Sequence, residues 1–409
     1  MSLRASILTI GNELVSGFTV DTNSSWLGKK LVSRKIIVEK IVSVRDQDEA
    51  IKFELQSLLN KKPDYLFITG GLGPTHDDIT QNSIKTFFKL DEDFDQKYYD
   101  TLKVKFAERG IDMPESNRSQ AIIYKNCKML NNPKGTAKGI EVNFNNTKIF
   151  VLPGVPIEMK AIFFDSINSI LPVESKNSLI TLRAFGISES SLAKKMNKIL
   201  DEWKSKVEIA FLPSHLGVDV RINNLVNPKI NLSEIVESIN SVVGNYFFGS
   251  GSEKLEQIVV DGLKLNNLTL SVAESCTGGK LANFITSVPD SSSIFIGGIV
   301  AYSNSVKMNF LDVAKDTIEK NGAVSEEVAI QMANGIREKT NSDIGIGITG
   351  ISGPTGGSVD KPLGLVFIAI SGKQNNKVKK FILKMDRVMH QETTSYIALN
   401  MIRRYYFRK

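Results

Sequence analysis

The chain has 409 residues, of which 42% are hydrophobic and 23% charged, a composition typical of a soluble globular protein with two or three domains. No segment approaches the roughly 18 to 20 unbroken apolar residues of a membrane helix, and the first residues lack a signal-peptide cleavage pattern. We therefore expect a cytoplasmic protein without a membrane partner. The net charge of +7 is scattered over many lysines, so nucleic acid is not an expected partner. The densest basic segment, 403–409, is interpreted as a helix end that complements the helix dipole.

The first part of the chain alternates strand-like and helix-like segments. This alternation is typical of a mostly parallel sheet covered by helices, and it predicts one α/β domain over residues 1–171. The predicted strands are 5–10, 40–44, 65–69 and 148–152, and the predicted helices are 23–32, 49–59, 78–88, 95–109 and 157–171.

The pattern changes after residue 171. Residues 172–250 predict a small α+β module, and residues 251–409 predict a second α/β domain that follows a Gly- and Ser-rich boundary. The predicted fold class is therefore α/β: two α/β domains with mostly parallel sheets, joined by a small α+β module. The predicted strands are 179–185, 207–211, 218–222, 268–272 and 294–302, and the predicted helices are 189–200, 233–243, 254–265, 278–286 and 386–406.

A glycine-rich loop follows the predicted strand 65–69. Gly71 and Gly73 would let the backbone approach a phosphate closely, and His76, Asp77 and Asp78 are side chains that could hold a divalent metal beside it. The alternative is that one of the two aspartates only caps the next helix. In a parallel sheet, the loops at the carboxyl ends of the strands converge on one crevice, which favours a shared site.

A second candidate site follows the predicted strand 268–272. Ser275 would lie at the strand end, beside backbone N–H groups of Thr277, Gly278 and Gly279 that could hold an oxyanion. The base for this serine is left open by the residues themselves. The chain has only three histidines, and only the last of them lies in the same predicted domain: His76, His215 and His390.

A lysine can replace histidine as the base when burial lowers its pKa. Lys307 follows another predicted strand end, and Lys280 lies on the helix after the glycine turn, where a solvated lysine is the ordinary interpretation. Cys276 is a rival nucleophile, although an isolated cysteine is more often a buried apolar residue. Spacing alone leaves Ser275 with Lys307 as one candidate pair among several, and His390 remains open as an alternative base.

Several motifs resemble the CinA family, the competence/damage-inducible protein A family, over essentially the whole chain. In the N-terminal part they are the glycine-rich loop 70–80 and the segments 132–137 and 151–156. In the C-terminal part they are Ala-Glu-Ser-Cys-Thr-Gly-Gly (273–279), Tyr-Ser-Asn-x-x-Lys (302–307), Gly-Ala-Val-Ser (322–325) and Gly-Pro-x-Gly-Gly (353–357). The C-terminal set resembles nicotinamide-nucleotide amidase, and the N-terminal set resembles a molybdopterin-binding-like domain.

This resemblance implies deamidation of nicotinamide mononucleotide to nicotinic acid mononucleotide, with Ser275 as nucleophile and Lys307 as base and with no cofactor. It also implies a metal-dependent ADP-ribose pyrophosphatase in the N-terminal domain, with Asp77 and Asp78 near the metal. Expected partners are these two nucleotides and further copies of the chain. The substrate-pocket residues implied for the amidase are Tyr302, Ser292 or Ser293, Thr349, Gly350 and Arg387.

One residue departs from the family pattern, and a second class of function fits the sequence. Many relatives carry a second arginine where this chain has Gln391, which affects the expected phosphate clamp. The rival function is a non-catalytic protein, either a molybdopterin- or nucleotide-binding module or a competence-related partner in DNA uptake.

Overall fold

A computed structural model describes residues 3–75, 78–108, 110–175, 178–224, 227, 230–373 and 376–407. The chain divides into two compact units, one formed by Met1–Leu179 with Asn223–Leu232 and the other by Ile180–Ile222 with Ser233–Lys409. The predicted module 172–250 is thus shared between the units, and the three predicted domain boundaries stay a prediction. None of the described helices is both long and apolar enough to cross a membrane.

Unit one is built on a six-stranded sheet in the order β2-β1-β3-β8-β7-β6. The four strands from β2 to β8 in that order run parallel, and β7 and β6 join antiparallel at one edge. The elements are β1 (Arg4–Ile10), α1 (Asn12–Val15), α2 (Thr22–Val32), β2 (Ile37–Val44), α3 (Asp48–Leu59), β3 (Tyr65–Thr69), α4 (Thr80–Phe88), β4 (Glu92–Phe94), α5 (Gln96–Ala107), β5 (Ile122–Tyr124), β6 (Lys128–Leu130), β7 (Gly139–Phe144), β8 (Thr147–Leu152) and α6 (Pro156–Ile162).

The next elements form a four-stranded sheet in the order β10-β11-β9-β12 with two helices. Along β11, fully buried residues alternate with partly exposed ones, as expected for a strand with one covered face and one open face. The elements are β9 (Leu179–Ala184), α7 (Glu189–Trp203), β10 (Glu208–Ser214), β11 (Gly217–Asn223), α8 (Leu232–Val243) and β12 (Phe247–Ser250).

Unit two also contains a five-stranded sheet in the order β14-β13-β15-β16-β17. β14, β13 and β15 run parallel, and β16 and β17 join antiparallel. The elements are α9 (Leu255–Leu265), β13 (Leu270–Glu274), α10 (Lys280–Thr286), β14 (Phe295–Val300), α11 (Asn304–Leu311), α12 (Lys315–Asn321), α13 (Glu326–Thr340), β15 (Ile344–Gly350), β16 (Leu365–Ser371), β17 (Asn376–Ile382) and α14 (Arg387–Tyr406).

The α/β fold class predicted from the sequence is confirmed, and the antiparallel edges are what the sequence did not predict. β16 is a fully buried and largely apolar run, a pattern that periodicity alone does not assign to a strand. Strand β13, the middle one of the three parallel strands, is buried at every residue, with apolar clusters on both of its faces. Because both of its neighbours, β14 and β15, run parallel to it, the loop after β13 opens at the same sheet edge as theirs.

Candidate active sites

Ser275 directly follows β13, at the edge where the parallel strands end. Its backbone N–H donates to the Ile348 carbonyl at 3.0 Å, which ties the loop to the neighbouring strand. Gly278 and Gly279 then adopt φ values of +61° and +93°, in the left-handed region that favours glycine. These two residues let the chain turn sharply from the strand into α10, and Ser275 lies at the start of that turn.

The structure brings Lys307 onto Ser275. Lys307 lies in α11, which begins after the Ser303 N-cap, and the residue is 1% exposed. Its Nζ is 3.2 Å from Ser275 Oγ, 2.7 Å from the Ala301 carbonyl oxygen and 3.3 Å from the Tyr302 carbonyl oxygen. A neutral amine has two N–H donors and one lone pair. Since the two carbonyls only accept, in the neutral amine they would take both N–H groups and leave the lone pair for the Ser275 hydroxyl.

Burial favours the neutral form of this amine. Desolvation lowers the pKa of Lys307 below its usual range, against a smaller opposing effect of Cys276. A neutral lysine can accept the proton of a serine hydroxyl, which an ammonium cannot. The geometry therefore places an amine whose pKa is lowered by burial within hydrogen-bond distance of Ser275.

Glu274 is a buried residue to which the sequence patterns assigned no role. Its carboxylate accepts hydrogen bonds from the backbone N–H groups of Gly279 (3.1 Å), Leu281 (3.1 Å) and Ala282 (2.8 Å). It therefore occupies the N-terminus of α10, where an acidic group is stabilised by the helix dipole. The only sequence signal for this role is its position directly before Ser275.

Glu274 narrows the choice of oxyanion donors. The N–H of Gly279 is taken by Glu274, and the N–H of Gly278 donates to the Ser275 carbonyl at 3.1 Å. Within the described residues, no backbone carbonyl accepts a hydrogen bond from the N–H groups of Cys276 and Thr277. The expectation that Thr277, Gly278 and Gly279 all supply free N–H groups is thus wrong for the two glycines, because both are already hydrogen-bonded.

The rival catalytic residues are engaged elsewhere. Burial raises the pKa of the Cys276 thiol to about 12, so it stays protonated. Lys280 Nζ donates to Glu392 at 3.3 Å. His390 is fully buried, with Nδ1 2.9 Å from Ser352 Oγ and Nε2 3.2 Å from the Gly364 carbonyl oxygen. None of these contacts involves Ser275.

The predicted pocket residues Tyr302 and Arg387 lie together. Arg387 Nη2 donates to the Tyr302 hydroxyl at 3.0 Å, and Nη1 donates to the Gly353 carbonyl at 2.7 Å. Thr349 is buried and donates to the Ala323 carbonyl at 2.7 Å, and Gly350 packs closely against β16. Tyr302 and Arg387 are exposed and accessible to a ligand, whereas Thr349 and Gly350 are packed within the sheet.

The structure places Ser292 and Ser293 away from Ser275 within the chain. Both precede β14, whose first residue pairs with Leu270 at the start of β13. Ser275 follows the other end of β13, so the strand length of five residues, roughly 16 Å, separates the two ends. The prediction that these serines line the Ser275 pocket is wrong within one chain, because parallel neighbours place the two segments at opposite sheet edges.

In unit one, polar loops at the carboxyl ends of β1, β3 and β8 converge on a cavity of about 520 Å³. Gly71 and Gly73 both line it, and Gly71 has a φ of +62°. Asn23 joins two of the loops, because its Nδ2 donates to Thr69 Oγ1 at 3.1 Å and to the Gly154 carbonyl at 2.7 Å. Among the described residues, the lining includes neither lysine nor arginine, and it has four acidic members: Glu13, Asp46, Asp78 and Glu158.

Of the three predicted metal ligands, the structure describes only Asp78. His76 and Asp77 lie outside the described residues. Asp78 lines the cavity, and its Oδ2 accepts from the Thr75 N–H at 3.0 Å and from the Thr75 hydroxyl. The part of the chain that the structure describes contains no group of three or more His, Cys, Asp or Glu side chains placed to hold a metal. An ion that keeps its waters and bridges to phosphates needs only one or two carboxylates, so the acidic lining fits a metal of that kind.

Family models match three consecutive parts of the chain. The Probable molybdopterin binding domain matches residues 6–172, the Damage-inducible protein CinA KH domain matches 180–249, and the CinA C-terminal domain matches 252–406.

Full-length relatives are similar along almost the whole chain. A CinA-like protein from Chloroherpeton thalassium is 37% identical over 98% of this chain and 98% of its own length. A CinA-like protein from Thermotoga neapolitana is 34% identical over 98% of each. Among solved structures, the competence/damage inducible protein CihA from Agrobacterium tumefaciens is 34% identical, covers 36% of this chain and 90% of its own, and has a TM-score of 0.35.

Proposed function

The chain belongs to the CinA family, and from that premise we propose that it is an amidohydrolase that converts nicotinamide mononucleotide to nicotinic acid mononucleotide and ammonia. The observation that carries this proposal is the buried Lys307 Nζ at 3.2 Å from Ser275 Oγ. The substrate itself comes from the resemblance to nicotinamide-nucleotide amidase.

The reaction begins when Ser275 Oγ attacks the carboxamide carbon and its proton passes to Lys307 Nζ. The oxygen of the tetrahedral intermediate is held by the N–H groups of Cys276 and Thr277. The Lys307 ammonium then gives its proton to the departing nitrogen, and ammonia leaves an acyl-serine ester. Water, deprotonated by Lys307, attacks this ester and releases the carboxylic acid and free Ser275. Arg387 and Tyr302 are the groups offered to the substrate phosphate.

This proposal is tested by ammonia release from nicotinamide mononucleotide. Ser275→Ala and Lys307→Ala should each abolish measurable turnover. The exposed Ser287→Ala and the ion-paired Lys280→Ala are matched controls. They remove the same side-chain types outside the dyad, and both should retain turnover. Full activity in either dyad variant would refute the assignment.

We also propose a second activity, hydrolysis of ADP-ribose in the cavity of unit one. Its support is the convergence of glycine loops on a cavity whose lining is acidic. A diphosphate would be repelled by those carboxylates unless a divalent cation neutralised it, and such an ion supplies charge stabilisation and an activated water. Asp78, which lines the cavity, is the residue that would hold that ion.

The test of the second activity is ADP-ribose cleavage by Asp78→Ala with divalent metal present. We expect loss of cleavage, with retention in the surface control Asp165→Ala. Cleavage at the wild-type rate in Asp78→Ala would remove Asp78 from the site. Salt-sensitive DNA binding by a chain that turns over neither nucleotide would instead support the rival competence-related function.

A further inference from the structure

A cavity of about 400 Å³ lies in unit two between the last turns of α14, one face of β17 and the residues that follow β9. No residue of the Ser275 loop lines it. Its cationic lining residues are Lys379 and Arg404, and the described lining contains no aspartate or glutamate. Neither cation forms an ion pair with a described carboxylate. A cavity with cations and no acid has a positive potential that attracts an anion.

Asn400 adds an amide donor to this cavity. The residue is 7% exposed, and its Oδ1 accepts from Arg403 Nε at 3.1 Å and from Arg403 Nη2 at 3.0 Å. Arginine N–H groups can only donate, so the atom of Asn400 that faces Arg403 is the amide oxygen. The amide Nδ2 is therefore free to face the cavity. Nδ2 points towards Gly186, another lining residue, where an added Cβ would lie 3.8 Å from it. No described residue accepts from this N–H group, and an anionic oxygen in the cavity would do so.

The rest of the lining is apolar and aromatic. Phe185, Phe381 and Met401 form a wall, and Tyr405 lies under the ammonium of Lys377 at 5.3 Å from the ring centroid. Aromatic walls of this kind pack against planar rings. The volume also falls in the usual range of roughly 300 to 1,000 Å³ for small-molecule sites.

From these observations we propose that this cavity binds a nucleoside monophosphate, with the phosphate on Arg404, Lys379 and Asn400 and the base against the aromatic wall. The site is independent of the amidase and pyrophosphatase proposals. The segment 403–409, interpreted above as a helix end, therefore contributes Arg404 and Tyr405 to a ligand site.

Calorimetric titration of the full chain with adenosine monophosphate tests this proposal. The double variant Lys379→Gln with Arg404→Gln should bind at least about tenfold more weakly than wild type, while the surface control Lys204→Gln should be unchanged. In the wild type itself, inorganic phosphate should compete, and adenosine should bind far more weakly. Equal affinity of wild type and double variant, or of adenosine and its monophosphate, would overturn the proposal. The proposal would also be overturned if a short single-stranded oligonucleotide bound to the chain and its affinity fell with salt as steeply as contacts to several phosphates require.

A separate observation concerns Gln391, where the resemblance implies an arginine. Gln391 Nε2 donates to the Cys276 carbonyl at 3.1 Å, and Ser352 Oγ lies 3.3 Å from the same oxygen. The Cys276 carbonyl and the Thr277 N–H belong to one planar trans peptide, so they point in opposite directions. Whatever holds the carbonyl therefore sets the direction of the Thr277 N–H.

We infer that Gln391 is a positioning residue that aims the Thr277 N–H at the reacting oxygen. The contacts of His390 support this role of Gln391. The Gly364 carbonyl can only accept, so the proton of the neutral imidazole lies on His390 Nε2. His390 Nδ1 is then the acceptor for the Ser352 hydroxyl. In that state Ser352 donates to His390, and Gln391 is the donor that holds the Cys276 carbonyl. This inference rests on the proposed amidase function.

The test compares Gln391→Met, which removes the donor, with Gln391→Arg, which keeps one. Gln391→Met should lower kcat by about 10- to 100-fold with KM within about twofold, because the interaction matters in the transition state. Gln391→Arg should recover part of kcat. A wild-type kcat in Gln391→Met, or a change in KM alone, would overturn the inference. Failure of the amidase proposal would differ, since Ser275→Ala would then be active.

Discussion

The Ser275 site and the acidic cavity of unit one lie at equivalent positions, each at the carboxyl ends of parallel strands. They differ in electrostatics. The Ser275 site buries one lysine beside the serine hydroxyl, whereas the described lining of the acidic cavity contains four carboxylates and no lysine or arginine. The carboxyl ends of parallel strands therefore carry a buried lysine in one sheet and an acidic cavity in the other. The difference lies in the side chains of the loops.

The largest effect is expected when the buried lysine, the proposed base, is replaced. Lys307→Met should lower kcat for nicotinamide mononucleotide by about 10³- to 10⁶-fold, and the double variant with Ser275→Ala should be no worse, because the pair acts as a unit. Single-turnover and steady-state ammonia release would measure this. Additive losses would mean that the two residues act separately.

Chelation of divalent metal should distinguish the two proposed activities. Removing divalent metal should abolish ADP-ribose cleavage, because the acidic lining then repels the diphosphate, and leave ammonia release within about twofold. Both assays on one sample, before and after metal is restored, would measure this. Loss of both activities would contradict a metal-free amidase.

Glu274 should matter for stability. Glu274→Ala leaves three N–H groups of the α10 turn without their acceptor, and we expect a loss of about 2 to 3 kcal/mol in the free energy of unfolding. Urea denaturation would measure it, with the exposed Glu326→Ala in the first turn of α13 as control. A loss below about 0.5 kcal/mol would show that water replaces the carboxylate.

The smallest effect concerns pH. Because the pKa of Lys307 is lowered in the folded state, the unfolded chain binds more protons between that pKa and the ordinary value of about 10.5. Stability should therefore rise with pH across this window, and kcat/KM should fall up to about tenfold per pH unit below it. Lys307→Met should remove the stability rise, and an unchanged profile would contradict the assignment.

Much of the fold follows from local patterns. The alternating strands and helices of unit one and the loops around Ser275 lie close to where the sequence predicts them, because apolar periodicity and glycine turns act over short distances. Strands β16 and β17 were not predicted. β16 is a fully buried and largely apolar run that periodicity alone does not assign to a strand, and β17 pairs only with β16 in the described sheet.

The sequence by itself determined which residue types could act: one serine after a strand, lysines in place of an accessible histidine, and carboxylates beside a glycine loop. Tertiary structure alone decided how they are used. It placed Lys307 Nζ beside Ser275 Oγ, engaged the N–H groups of Gly278 and Gly279 in hydrogen bonds, and left Ser292 and Ser293 near the opposite end of β13 from Ser275. The placement of Ser292 and Ser293 follows from strand order, and the contact between Lys307 and Ser275 joins residues 32 positions apart. The contacts of the two glycines are local to the turn after β13.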